Sequence, residues 1–332
     1  MTEPEDYESS REPLVQRSEH DQSTKHRLSM QTIGLLFVVI SMMILSGLVW
    51  LAIGRTVEPT TIDQPSGPKL ERVEPPSTYL PGNSIALDLP TKIDELNQSL
   101  GLPGRVNFDV IPATNIVAVA MIDLSERGRG QVDYNGDVEF TAASTYKLFV
   151  AYAMVNAVES GRMGWASQLN GTTLDECFRR MIVESDNDCP EVYLKQAGFS
   201  KTGAQMHALG LSERTRFTTD SARTTANDLA LFLKKLHDGE LMSVAHQQKL
   251  LDLMKRQIYR QGMPTGIQAR TDASTESSNT VVANKVGFLD ELLHDAGIIY
   301  SPRGDYVLVI MTNGESWPFI AQLAAWIDGQ MV

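Results

Sequence analysis

The stretch Phe140–Val155, FTAASTYKLFVAYAMV, joins a turn to an apolar helix, and the fold is decided by how it is read. Ser144 stands at the entrance. A serine at a helix N-cap satisfies orphan backbone N–H groups, and Thr145, Tyr146 and Lys147 open a run whose apolar residues suit a buried helix. Lys147 follows Ser144 by three residues, which on a helix places both side chains on one face. An amine there can touch the serine hydroxyl, as an ammonium or, where burial lowers its pKa, as a neutral base. The pair is a candidate nucleophile and base, but the SxxK spelling is cheap. Ser66–Lys69, SGPK, has it too, in a proline-rich segment that cannot be a helix interior. Partners must come from elsewhere in the chain.

A length of 332 residues allows one large or two modest domains, and 42% hydrophobic content suits a chain with a real core. A formal net charge of -12 offers no broad basic surface and argues against a nucleic-acid partner. Two cysteines, Cys177 and Cys189, are too few for a disulfide scaffold and lack the ligand spacing of a zinc site. With neither HExxH nor a paired CxxC present, no metal or cofactor is expected.

Residues 1–32 are polar and mixed in charge, the composition of a disordered tail. Residues 33–53, IGLLFVVISMMILSGLVWLAI, form an uncharged run long enough to span about 30 Å of hydrocarbon as one helix, with Trp50 near an interface. A cleaved signal peptide fits less well, because the preceding tail is long, the apolar run exceeds the roughly 7 to 15 residues of a signal, and no A-x-A-like site follows. Lys25 and Arg27 before the span and Arg55 after it weakly favour a cytoplasmic N-terminus, with the remainder outside the membrane. Residues 54–90 are rich in Pro, Thr and Ser and read as a semi-extended spacer.

From Thr91 the texture is globular, and residues 91–332 form the expected folded domain. TKIDELNQSLGL has apolar residues at helical spacing, closed by Gly101. Ile116–Leu124 reads as a buried strand, Glu126–Gly130 as a turn, and Gln131–Phe140 as the hairpin partner. Arg127–Gly130, RGRG, sits between strands and so reads as a plain turn, not a phosphate loop. Residues 171–250 are mostly helical in pattern. Strands are expected again at Thr280–Val286, Ala296–Tyr300 and Tyr306–Thr312, before a helix at Phe319–Ile327. The order predicts an α+β fold: a five-stranded antiparallel sheet flanked by helices, plus an all-helical lobe.

Ser185, Asp186 and Asn187 spell SDN at the end of a helix-like run. With SxxK before it and a lysine-glycine strand after it, the chain resembles the class A β-lactamases and related penicillin-recognising serine hydrolases, in motif order and spacing, over the whole globular part. For the third motif, Lys201–Gly203 spells KTG and Lys285–Gly287 spells KVG. Lys285 is preferred because Val281–Asn284 lead into it as a strand would, whereas Lys201 lies between helical segments.

The resemblance implies acyl transfer, with Ser144 as nucleophile and Lys147 as its base. Burial and the charge of Lys285 lower the Lys147 pKa, Ser185 relays a proton to the leaving nitrogen, and Asn187 holds the substrate amide. The oxyanion meets the backbone N–H groups of Ser144 and of Phe288, the residue after Gly287. Asp186 braces the loop. Two departures stand out. Val286 replaces the usual Thr or Ser, removing a hydroxyl that helps bind a substrate carboxylate. Glu213 is the sole glutamate between Leu211 and Thr225, with no ELN after it, and reads as a surface turn, so a penicillin acyl-enzyme is expected to be long-lived. His294 and Asp295 suggest a Ser-His-Asp triad, but no GxSxG elbow surrounds Ser144, and the histidine reads as structural.

Cys177 and Cys189 bracket SDN and, outside the membrane, lie in an oxidising space. A disulfide closing that loop contributes about 3 kcal/mol in the chain-entropy model; the alternative is two buried thiols in adjacent helices. The function these features imply is a serine hydrolase anchored in a bacterial cytoplasmic membrane by one helix, acting on a β-lactam or a peptidoglycan-peptide amide. A D,D-peptidase is a close alternative, and a wall-binding or sensory module without turnover is another. The oligomeric state is not legible.

Overall fold

β1 (Ile116–Asp123), IVAVAMID, is apolar at nearly every position because the sheet it belongs to is covered on both faces. Val117, Val119 and Met121 join one core; Ala118 and Ala120 join the other, as the two-residue strand period requires. The computed structural model describes residues 87–100, 116–125, 130–273 and 279–331. The tail at 1–32, the apolar span at 33–53, the spacer up to residue 86 and residues 126–129 of the Arg-Gly turn lie outside the described residues. Among the described residues no helix is long and apolar enough to cross a membrane.

The main sheet has the order β2–β1–β10–β9–β8, every neighbouring pair antiparallel, with β2 at Gln131–Tyr134, β8 at Val281–Leu289, β9 at Leu292–Tyr300 and β10 at Tyr306–Asn313. One face packs against α1 (Leu89–Leu100), α8 (Met263–Ala273) and α9 (Trp317–Gln330). Here α8 and α9 touch backbone to backbone. A Cβ added at Gly266 would fall 1.8 Å from the Ala321 carbonyl oxygen, so only glycine permits this approach.

The other face carries the helical lobe. At its centre α2 (Lys147–Glu159) buries residues on every side, including Lys147, Leu148, Phe149, Val150 and Met154, which is why its sequence lacks an amphipathic pattern. It packs against α3 (Leu174–Val183), α4 (Asp188–Ala197) and α5 (Phe199–Ala208). α6 (Ala226–His237) lies between lobe and sheet, and α7 (Val244–Lys255) joins the same core.

Two expectations change. The hairpin partner of β1 stops at Tyr134, because Asn135 takes φ 53° and Gly136 is wedged under Asn227, with 2.0 Å between an added Cβ and its Oδ1. Phe140–Thr141 is instead β3 of a second sheet, β3–β7–β6, with β6 at Arg216–Phe217 and β7 at Ala222–Thr224. A further short pair, β4 (Gln168–Leu169) and β5 (Thr172–Thr173), turns at Asn170–Gly171 with both residues at positive φ, as an Asn-Gly hairpin does.

Cys177 on α3 and Cys189 on α4 form a disulfide, their Cα atoms 5.4 Å apart and their sequence separation 12. Both are fully buried. The bond closes the loop that carries Ser185–Asn187. Replacing both cysteines by alanine is expected to lower unfolding stability by about 3 kcal/mol; an unchanged urea midpoint in the double variant would show that the loop is held without it.

Candidate active site

β3 leads into the site. After Thr141 the chain turns through Ala142 and Ala143, the latter at φ 43°, and Ala143–Tyr146 forms one 3-10 turn that runs directly into α2. Ser144 therefore caps nothing. Neither helical start has a side-chain cap, and the turn is tied instead by Thr145, whose Oγ1 donates to the Ala142 carbonyl at 2.6 Å. The Ser144 hydroxyl is left facing Lys147, with Nζ 2.9 Å from Oγ.

Lys147 is fully buried and its amine sits among oxygens. Nζ donates to the Ser185 carbonyl at 2.6 Å and to Asn187 Oδ1 at 2.6 Å, with Ser185 Oγ at 3.2 Å. The first two can only accept. A neutral amine has two N–H groups, and spending both on these acceptors leaves its lone pair for the Ser144 hydroxyl. Burial lowers the Lys147 pKa to about 8, against the opposing pull of Asp186 and Glu191.

Ser185, Asp186 and Asn187 occupy the loop between α3 and α4. Ser185 adopts φ 60°, a left-handed conformation at a helix end where glycine is usual. What holds it there is Asp186, which pairs with Arg180 and accepts the Cys189 backbone N–H at 3.1 Å. From the opposite side β8 brings Lys285, fully buried, whose Nζ donates to Ser185 Oγ and to the Val286 carbonyl, both at 2.8 Å. Its pKa is pushed well down by burial and then by the charge of Lys147, with Asp295 opposing. Ser185 Oγ thus bridges the two amines.

Gly287 makes the approach of β8 tolerable. An added Cβ would meet the Ala142 carbonyl at 3.0 Å and the Ser144 nitrogen at 3.1 Å. Phe288 follows it, with its ring edge-on to Tyr259 at 5.3 Å and 43% of its surface exposed at the cleft. The cleft itself encloses about 400 Å³ and is lined by Ser144, Ser185, Asn187, Glu191, Phe217 and Phe288 among others.

Several residues fall outside this group. Lys201 is exposed in the first turn of α5, so the literal KTG is part of a helix. Glu213 is exposed beside His207, 3.5 Å away, and lines no part of the cleft. His294 is buried in β9, with Nε2 donating to the Thr141 carbonyl at 2.9 Å and Nδ1 accepting from the Thr312 backbone at 3.2 Å. Burial lowers its pKa to about 4, so it is a neutral structural ring. Asp295 accepts from Asn284 Nδ2 at 2.8 Å and from the Met263 backbone N–H at 2.9 Å, at the start of α8. Among the described residues no group of His, Cys, Asp or Glu could hold a metal ion. Glu191 was not singled out in the sequence, although its position four residues after Asn187 on a helix was a readable signal.

The chain is similar to solved structures at the level of the fold. PBP-A matches with a TM-score of 0.61 and 21% identity, over 76% of this chain and 98% of that one. A mutant of PBP-A, solved as an acyl-enzyme complex with penicillin G, matches with a TM-score of 0.61 and 20% identity, over 76% and 98%. The class A β-lactamase of the last common ancestor of Gram-negative bacteria matches with a TM-score of 0.60 and 19% identity, over 73% and 98%. No curated protein matches. The model of the beta-lactamase enzyme family matches residues 109–327, most of the chain and all of the site, and the chain belongs to that family.

Proposed function

We propose that the protein is a serine hydrolase that forms an acyl-enzyme at Ser144 with a β-lactam or a peptidoglycan-peptide amide. The observation that carries this reading is the 2.9 Å contact of Ser144 Oγ with a buried amine whose other neighbours are acceptor oxygens. Lys147 accepts the hydroxyl proton as Ser144 attacks the carbonyl carbon, because a hydroxyl is a poor nucleophile until a neighbour takes that proton. The backbone N–H groups of Ser144 and Phe288 receive the oxyanion, an arrangement worth roughly 3 kcal/mol per donor in other acyl-transfer sites. Collapse breaks the C–N bond, and the proton reaches the leaving nitrogen from Lys147 through Ser185 Oγ, 3.2 Å from that amine and 2.8 Å from Lys285.

Lys285 Nζ donates to Ser185 Oγ at 2.8 Å and orients the hydroxyl relay, beside the place a substrate carboxylate would take. Val286 is fully buried and lines no part of the cleft, so this position offers that carboxylate no hydroxyl. The penicillin acyl-enzyme of the PBP-A mutant supports a β-lactam as one acylating ligand. A D,D-peptidase would use the same first half-reaction on a cell-wall peptide. On this reading the apolar run at 33–53 tethers the domain outside a bacterial cytoplasmic membrane, with the N-terminus in the cytoplasm.

Mass spectrometry after exposure to penicillin G is expected to find one adduct on the parent protein and none on Ser144→Ala. An adduct retained by Ser144→Ala would sink the assignment of the nucleophile. The acylation rate also carries a pH signature. The neutral amine is the competent form, so with a Lys147 pKa of about 8 the rate constant should climb about tenfold per pH unit below that value and level off above it. A rate that is flat with pH across this range would exclude Lys147 as the base.

A further inference from the structure

The cleft beside Ser144 contains a carboxylate that SxxK, SDN and KVG leave unused. Glu191 lies on α4 four residues after Asn187, so the two side chains leave the helix on one face, one turn apart. Asn187 reaches Lys147, and Glu191 lines the same cleft as Ser144. Its negative charge acts on both Lys147 and Tyr146, which follow Ser144 by three and two residues. An acidic residue in the first turn of a helix favours the helix dipole wherever it points, but Asp188 already supplies that, and Asp188 does not line the cleft. The ion-pair neighbour of Glu191 is Lys195 at 3.9 Å, with the carboxylate 58% exposed; a pair this long and this wet leaves carboxylate oxygens available to water.

The opposite wall explains why a helix supplies this group. Glu213, the glutamate of the segment that could have arched over the cleft, turns outward to His207. The short β6–β7 turn contributes Thr218, Thr219, Asp220 and Ser221 to the cleft wall instead. Between this turn and α4 lies part of a space of about 400 Å³, and a water takes about 30 Å³.

We propose that Glu191 is the general base that activates water to hydrolyse the Ser144 acyl-enzyme, an inference that rests on the acyl-enzyme reading above. A water held between Glu191 and the ester gives one proton to the Glu191 carboxylate as its oxygen bonds to the acyl carbon. The proton held on Glu191 passes through solvent to Lys147, and as the tetrahedral species expels Ser144 Oγ that oxygen takes the proton from Lys147. The released product is the carboxylic acid, with Glu191 ionised and Lys147 neutral as at the start. One water is consumed and no other reactant is needed.

The test follows the Ser144 adduct of penicillin G by intact mass over time in the full-length protein, comparing the parent with Glu191→Gln, Glu191→Asp and Asp188→Asn. In Glu191→Gln the adduct is expected to decay about a hundredfold more slowly, while its formation is not slowed. Glu191→Asp should decay at an intermediate rate, and Asp188→Asn, in the same helical turn but outside the cleft, like the parent. Hydroxylamine, which attacks an ester without a general base, should clear the Glu191→Gln adduct as fast as the parent's, showing that the cleft is intact. Equal decay in Glu191→Gln and the parent, a parent adduct that never decays, or an equal slowing in Asp188→Asn overturns the assignment. Absence of both adduct and hydrolysed product in the parent overturns the acyl-enzyme reading itself, and the proposal with it.

Discussion

Two lysine amines converge on one serine hydroxyl in the interior of this protein. Lys147 and Lys285 are both fully buried, and Ser185 Oγ lies 3.2 Å from one and 2.8 Å from the other. Two ammonium ions in such a place would pay desolvation twice and repel each other besides, at several kcal/mol per ion. The pair avoids this by carrying less than two protons, which is the physical content of both lowered pKa values. Much of the surrounding architecture serves to keep this arrangement from relaxing. The left-handed Ser185, the Asp186–Arg180 ion pair and the Cys177–Cys189 bond all fix one short loop. Were the loop free, its carbonyl and amide oxygens would leave Lys147, and the amine would regain water and its ordinary basicity.

The sheet supplies the opposing wall at the same tolerance. β8 must bring Lys285 to Ser185 and its next backbone groups to Ser144, and Gly287 permits this because a Cβ there would crowd the Ala142 carbonyl and the Ser144 nitrogen. The strand is held from behind by a buried polar cluster. Arg260 Nη1 donates to the Val282 carbonyl and to Asn284 Oδ1, both at 3.1 Å, and Asn284 in turn donates to Asp295. Asp295 thus has a structural role: it links β8 and β9 to the start of α8. Burial raises its pKa to about 6, and hydrogen bonds from Asn284 and Met263 keep it from rising further.

The residues of the candidate site were legible because few alternatives share their pattern. SDN after SxxK pointed to one kind of site, and Lys285 was separated from Lys201 by the strand pattern leading into it, as its place in β8 agrees. What was misread depended on local backbone geometry. Ser144 has the composition of a helix cap, yet a positive φ at Ala143 sets a 3-10 turn and frees the hydroxyl. The end of β2 was invisible for the same reason, since Asn135 and Gly136 act through a contact with Asn227 far along the chain. Glu191 was missed for another cause. A glutamate in a first helical turn is ordinary, and only the packing of α4 beside the cleft makes its face matter.

That packing also bears on how one cleft can run two half-reactions. The proposed acylation needs an amine that is neutral before attack, and Lys147 would become neutral again once its proton had passed through Ser185 to the leaving nitrogen. A second base placed on the same lysine would have to work beside an amine already committed to Ser144. The proposed second base, a carboxylate one turn along α4, would avoid the conflict, because it lines the cleft from another helix than Lys147 does and its charge stabilises whatever proton Lys147 holds. The two proposed bases are therefore coupled through space. Removing the negative charge at position 191 makes Lys147 easier to deprotonate, so losing the base for the second half-reaction should, if anything, favour the first.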